Sequence, residues 1–150
     1  LMKLIANEEI AKGNRIVLCE DSIVRGTQLK NYTIAKLMNA GAKEVHVRPA
    51  CPPLMFPCIH NLSTRSTHEL ASRRAIRALE GKDTEDISAY LDPSSEKYQK
   101  MVTWIKKELG ATSLRYQTID DMVKAIGLPK ENLCLYCWLG NGIQKSLKSY

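Results

Sequence analysis

Eight consecutive residues hold the densest chemistry in this chain: Glu20-Asp21-Ser22-Ile23-Val24-Arg25-Gly26-Thr27. Two adjacent carboxylates stand beside two hydroxyls and a glycine, directly after the apolar run Arg15-Ile16-Val17-Leu18-Cys19. Where a strand turns into a helix, several backbone N–H groups lack intrahelical partners and point at one spot. With the positive end of the helix dipole they make an anion site. Gly26 lets the backbone take a conformation other residues avoid, so the amides converge. The hydroxyls of Ser22 and Thr27 add further donors.

The two acids would repel a phosphate unless they face something else. Ribose hydroxyls and a hydrated Mg2+ are their natural partners. The ligand that fits has a 5′-phosphate, a ribose diol and a metal-bound pyrophosphate, which describes phosphoribosyl pyrophosphate (PRPP). A dinucleotide loop would carry G-x-G-x-x-G, and an ATP-binding loop would carry Gly-Lys-Ser or Gly-Lys-Thr. Neither is present in the run. The competing reading, a plain strand-to-helix turn with a solvated acid pair, suits an isolated Asp-Ser but not the whole run. The Arg25 side chain is assigned no role.

Five cysteines, Cys19, Cys51, Cys58, Cys134 and Cys137, form the second set of reactive groups. An odd count without a leader segment argues against a disulfide framework and for a reducing compartment. A buried apolar role is expected for Cys19, inside the strand pattern. Cys134-Leu135-Tyr136-Cys137 is a lone C-x-x-C, equally compatible with redox chemistry, zinc or two unrelated thiols. His46, His60 and His68 lack metal-ligand spacing, and no Ser/His/Asp set is apparent.

The elements that must position these groups follow from periodicity. The run 15–19 reads as a strand covered on both faces. A helix is predicted from about Gln28, with Ile34, Leu37 and Met38 on one face and Gly41 as its stop. Glu44-Val45-His46-Val47-Arg48 is the next strand, completing a βαβ unit. Cys51-Pro52-Pro53 and Phe56-Pro57-Cys58 are too proline-rich for helix or central strand. Thr67 to Leu79 is predicted helical, with Leu70, Ala75, Ile76 and Leu79 inward and Arg73, Arg74 and Arg77 outward. Residues 81–95 are polar and read as an insertion or linker. Tyr98, Met101, Val102, Ile105 and Leu109 mark a helix ended by Gly110, followed by a strand over 113–116. Thr118-Ile119-Asp120-Asp121 resembles a capping box for a helix ending at Gly127. The Gly- and Lys-rich tail is expected to be mobile.

Composition adds bounds rather than a function. The chain has 150 residues, 44% hydrophobic and 25% charged, ordinary for one soluble domain. No apolar run approaches the roughly 20 residues needed to cross a bilayer, so no membrane association is expected. The formal charge of +6 attracts polyanions. Its Lys and Arg are scattered, however, and phosphorylated small molecules explain the surplus as well as nucleic acid does. Nucleic acid is not the expected partner. The opening Leu-Met suggests an excised fragment.

The motif run resembles the PRPP loop of type I phosphoribosyltransferases in the form found in the glutamine amidophosphoribosyltransferase family. Ala40-Gly41-Ala42-Lys43-Glu44-Val45-His46-Val47-Arg48 is similar to that family's following helix end and strand. Pro52-Pro53 with Phe56-Pro57-Cys58 is similar to its proline-rich segment. Leu114-Arg115-Tyr116 and Met122-Val123-Lys124-Ala125-Ile126-Gly127 resemble its last strand and helix. The resemblance implies an α/β fold with a parallel, Rossmann-like phosphoribosyltransferase sheet, truncated at its N-terminal side and followed by a C-terminal helical extension. It divides the chain into a partial domain at 1–127 and a tail with the C-x-x-C at 128–150.

By the same resemblance, Glu20 and Asp21 contact ribose and Mg2+, and Ser22 through Thr27 hold the 5′-phosphate. The family often has Asp at the first acid, so Glu20 departs from it by one methylene. Cys58, Cys134 and Cys137 match three of four ligands to a [4Fe-4S] cluster carried by some members. The fourth would lie upstream, with the glutaminase domain and the remaining PRPP loops. The implied reaction converts PRPP, glutamine and water to phosphoribosylamine, pyrophosphate and glutamate, the first step of purine biosynthesis. This chain alone is expected to be inactive. Purine nucleotides as ligands, a homo-oligomer and a cytoplasmic location are further implications. Two other readings remain at this point: a non-enzymatic PRPP-sensing regulator of the same fold, and a small Fe-S or Zn module.

Overall fold

Alternating β-branched residues make Arg15–Glu20 (β1) and Glu44–Pro49 (β2) parallel partners, with Ile16 opposite Val45 and Leu18 opposite Val47. A computed structural model describes residues 7–60 and 66–140 of the chain. A two-residue strand, Ser113–Leu114 (β3), pairs parallel on the far side of β2, giving the order β1-β2-β3. This is the expected α/β architecture, although the last strand is shorter than 113–116.

Central β2 contributes Val45 and Val47, both 0% exposed. Each fully buried aliphatic side chain of this kind contributes about 1.5–3 kcal/mol. The expectation that β1 is covered on both faces is overturned. Its residues alternate between exposed and half-buried, and Val17 is 62% exposed. Among the described residues only β2 flanks β1, and nothing covers the face bearing Arg15, Val17 and Cys19. Cys19 is therefore exposed rather than buried.

The crossover from β1 to β2 is helical, as the periodicity requires, but it begins with π-type turns over Leu29–Ile34 before Ala35–Asn39 (α2, after a short Glu8–Ala11 helix, α1). The wider turn aligns Leu29 and Ile34, which are both buried. Leu37 is half-buried and Met38 falls outside the face at 45% exposure. Gly41 adopts a left-handed φ of 84° just past the helix, in keeping with its stop position.

The helix expected over 67–79 is broken at Leu70, whose ψ of 132° separates a 3-10 turn from Ala71–Glu80 (α3). Leu70, Ala75 and Ile76 face inward, whereas Leu79 is 41% exposed at the rim. Arg73 is only half-buried, turning back to donate to the Thr84 carbonyl at 3.0 Å. Residues 81–95 place Ile87 and Tyr90 in the main core, Tyr90 from the short helix Ser88–Leu91 (α4). The Tyr90 hydroxyl donates to Glu80 at 2.6 Å, and Lys97 reaches the same carboxylate oxygen at 2.7 Å.

Glu96–Leu109 (α5) matches its predicted pattern: Tyr98, Met101, Ile105 and Leu109 are buried, Ser95 caps the start and Gly110 the end. It packs with α3 over the covered face of the sheet. Ile119–Ile126 (α6) begins at Thr118, whose hydroxyl accepts the Asp121 amide at 3.1 Å, as the capping signature requires. The chain then turns through Lys130–Asn132 into Tyr136–Leu139 (α7). The expectation of a mobile tail falls on 141–150, outside the described residues.

Candidate phosphate-loop site

Glu20 ends β1, and its carbonyl accepts the Ala50 amide at 2.8 Å, so the chain leaves the sheet in a defined direction. Ile23 then anchors the following turn in the core at 3% exposure. Around that anchor, the amides of Ile23, Val24, Gly26 and Thr27 donate to no described residue. They precede the first turn of the crossover helix, where the Gly26 carbonyl accepts from Lys30 at 2.9 Å. Gly26 has a φ of 77°, and a Cβ there would meet the Leu109 methyl at 3.0 Å. Backbone sign and close packing both require glycine.

The loop is held from outside by contacts that sequence reasoning missed. The Val24 carbonyl accepts the Ala71 amide at 2.8 Å, and the Arg25 carbonyl accepts from Arg74 at 3.4 Å. Arg25, assigned no role from sequence, pairs with Glu69, its Nε donating at 2.9 Å. Arg74 also approaches Glu108 at 3.6 Å and lies over the Trp104 ring, 5.8 Å from its centroid. No local pattern marks Glu69 or Arg74, because their partners lie a whole fold away in sequence. A cavity of about 180 Å³ adjoins the loop, lined by Arg25, Gly26, Thr27, Lys30, Arg74 and Glu108 among others. Of its three cations, Arg25 is held by Glu69 and Arg74 by Glu108, and Lys30 is the third.

The two acids differ. Glu20 is half-buried and Asp21 exposed. Burial first, and then neighbouring Asp21, raises the Glu20 carboxyl above its usual range. One Asp21 oxygen accepts the Ser22 amide at 2.5 Å, so that amide is already engaged. A carboxyl whose charge is disfavoured by burial and by an adjacent carboxylate fits the chemistry of a divalent-cation site.

The cysteines divide into three environments. Cys51 is buried with Met122 and Leu135, and burial pushes its thiol up. Burial, and then neighbouring Cys58 and Cys134, raises the Cys137 thiol to about 11. Among the described residues no three His, Cys, Asp or Glu side chains close into a metal-holding group. The ligand set does not fit a four-thiolate cluster from the described residues alone.

His46 has partners that the sequence did not reveal. Its Nε2 is 2.9 Å from Glu44 and its Nδ1 is 2.9 Å from the Ser113 hydroxyl, which Arg48 also reaches at 3.0 Å. This network ties β2 to β3 on the open face of the sheet. A larger, mainly apolar cavity of about 400 Å³ lies between the proline-rich segment, Tyr98 and Trp138. It contains none of residues 20–27. No helix among the described residues is long and apolar enough to cross a membrane.

No family model matches the chain. It is 40% identical over 140 residues to the amidophosphoribosyltransferase of Pyrococcus horikoshii, covering 93% of this chain and 25% of that protein. The amidophosphoribosyltransferase of Staphylococcus epidermidis is 34% identical over 144 residues, covering 93% and 24%. Among solved structures, the glutamine PRPP amidotransferase from B. subtilis, complexed with ADP and GMP, superimposes with a TM-score of 0.64 and 30% identity. That match covers 91% of this chain and 25% of the other. An allosteric regulatory enzyme of purine biosynthesis gives a TM-score of 0.62 at 26% identity, over 93% and 26%. The chain spans about a quarter of the length of these relatives. Over nearly its whole length the chain is similar to about one quarter of each of these amidophosphoribosyltransferases, with which it shares a parallel α/β fold.

Proposed function

We propose that the chain is the PRPP-binding part of an amidophosphoribosyltransferase that converts PRPP, glutamine and water to phosphoribosylamine, pyrophosphate and glutamate. The supporting observation is the loop 20–27, whose amides at Ile23, Val24, Gly26 and Thr27 have no partner among the described residues and whose adjoining cavity is lined by Thr27, Lys30 and Arg74. Ser22 through Thr27 take the 5′-phosphate, mainly by backbone donors and the Ser22 and Thr27 hydroxyls. Glu20 and Asp21 take the ribose hydroxyls and Mg2+. Bound Mg2+ would neutralise pyrophosphate oxygens as the leaving group departs. The part played by this chain is to bind and orient. The similarity to named transferases favours this reading over a non-enzymatic PRPP sensor.

The remainder of a longer protein would supply the glutaminase domain and the groups that stabilise the leaving pyrophosphate, so this chain alone is inactive. Purine nucleotides are proposed ligands, supported by the ADP and GMP in the B. subtilis structure. A homo-oligomer and a cytoplasmic location belong to the same proposal. Cys58, Cys134 and Cys137 are proposed as three [4Fe-4S] ligands of the longer protein, a reading that rests on the family resemblance of their positions. No step depends on that cluster.

Calorimetric titration with PRPP and Mg2+ tests the loop assignment. Asp21→Ala should weaken magnesium-dependent binding about 10- to 100-fold, the worth of a hydrogen bond to a charged group. Equal binding by the two proteins would remove the assigned role.

A further inference from the structure

The cavity of about 400 Å³ is built by the segments that follow β2 and β3, together with α4, the start of α5 and α7. Contacts between remote segments hold its wall in place. The Cys137 carbonyl accepts the amides of both Met55 and Phe56, at 2.8 and 2.9 Å. Trp138 donates its indole N–H to the Pro52 carbonyl at 3.1 Å. The lining changes in character from floor to mouth. Met55, Tyr90 and Tyr98 are buried and make an apolar, aromatic floor. Asp120, in the first turn of α6, and Lys130 are exposed and make a charged mouth, their side chains 3.4 Å apart.

One floor residue has hydrogen-bonding capacity to spare. The Tyr90 hydroxyl is committed to Glu80. Tyr98 is 8% exposed, and its hydroxyl has no partner among the described residues, although it is not sealed from solvent. Buried polar groups are normally paired, so an unpaired one beside open space marks a place for a ligand atom.

We propose that this cavity binds a free aromatic amino acid, tyrosine or tryptophan, as its zwitterion. The ring packs among Tyr90, Tyr98 and Trp138, where aromatic pairs add to the gain from burial. Its phenol or indole N–H pairs with the Tyr98 hydroxyl. The ammonium group faces Asp120 and the carboxylate faces Lys130, so four charges alternate in sign where two stood before. Opening the Asp120–Lys130 pair costs little, because an exposed pair contributes little. The cavity volume lies within the range of small-molecule sites, about 300–1,000 Å³. A nucleotide suits this mouth poorly, since its phosphates would meet Asp120 as well as Lys130. An apolar peptide segment would leave both charges unanswered. The inference goes beyond the PRPP reading and does not rest on it, since no lining residue belongs to 20–27.

Isothermal titration of the protein with L-tryptophan, L-phenylalanine and N-acetyl-L-tryptophanamide tests the site. L-tryptophan should bind, and N-acetyl-L-tryptophanamide, which keeps the ring without either charge, should bind about tenfold more weakly. Asp120→Asn and Lys130→Met should each weaken L-tryptophan about threefold to fivefold, and their exposure means that both variants stay folded. Tyr98→Phe should weaken L-tryptophan about threefold to tenfold while leaving L-phenylalanine unchanged. If Tyr98→Phe unfolds, the two mouth variants still decide. Absence of binding by L-tryptophan at millimolar concentration overturns the proposal. Equal binding of the uncharged amide, or an affinity that neither mouth variant alters, also overturns it. Unchanged L-tryptophan binding in Asp21→Ala separates this result from the fate of the loop assignment.

Discussion

The loop at 20–27 and the strap of contacts that ties α7 to the proline-rich segment are built on opposite plans. The loop is contiguous, and its amides at Ile23, Val24, Gly26 and Thr27 remain without described partners while its neighbours are tied down. The strap is discontinuous, and its backbone groups and rings are already paired with each other. A buried polar group left unpaired costs free energy, so donors without described partners mark where the proposed ligand would add hydrogen bonds. The strap instead commits its polar groups to closure.

That contrast can be broken most forcefully at Gly26. Gly26→Val puts a β-branched side chain at a φ of 77° and against Leu109. Left-handed backbone costs an L-residue about 1–2 kcal/mol before the steric contact is added. Chemical denaturation should show a loss of at least that size, and calorimetry should show no PRPP binding. The strap should persist, so hydrogen exchange at the Met55 and Phe56 amides, which donate to the Cys137 carbonyl, should stay slow in whatever fraction remains folded. Loss of both together would mean that the regions are one cooperative unit.

Gly140→Ala makes the reciprocal test. Its φ of 71° opposes the change, and so does the Phe56 ring, 2.6 Å from where the new methyl carbon would stand, although that ring is a side chain that can shift. We expect a stability loss of about 1–2 kcal/mol. Hydrogen exchange at the Met55 and Phe56 amides should quicken while PRPP affinity stays within about twofold, the scatter of a neutral distant change.

The smallest effect is expected at Glu20, where site and stability pull apart. Its folded-state carboxyl titrates above the ordinary value because of burial and then Asp21. A raised value favours the folded state fully below the unfolded value, and that advantage disappears as pH rises through the folded one. At neutral pH the ionised Glu20 therefore costs stability. Glu20→Gln should raise the ligand-free melting temperature slightly at pH 7, with the gain vanishing on acidification towards pH 4. Magnesium-dependent PRPP binding should weaken in the same variant. A lower melting temperature at pH 7 would show that the carboxylate is stabilised as an ion.

Much of the fold is legible in the order of residues. The strands around Ile16 and Val45, the α5 stripe from Tyr98 to Leu109 and the Thr118 cap depend on spacing and local hydrogen bonds. Those signals are short-range, and they survive folding. Met38 and Leu79 lie outside their expected faces because a helical wheel cannot say how wide the covered face is. Cys19 departs from expectation for a different reason. An apolar run says that a strand could be buried on both faces, but only neighbouring elements decide whether it is.

The amino-acid order by itself determined the loop at 20–27, because its donors are backbone amides placed by a strand, a glycine and a helix start within a dozen residues. Tertiary structure alone decided which distant side chains brace it, Glu69 and Arg74, and that Trp138 and the Cys137 carbonyl close on the proline-rich segment. Local backbone geometry is encoded where it is used. A contact between remote side chains exists only after the chain between them has found its packing.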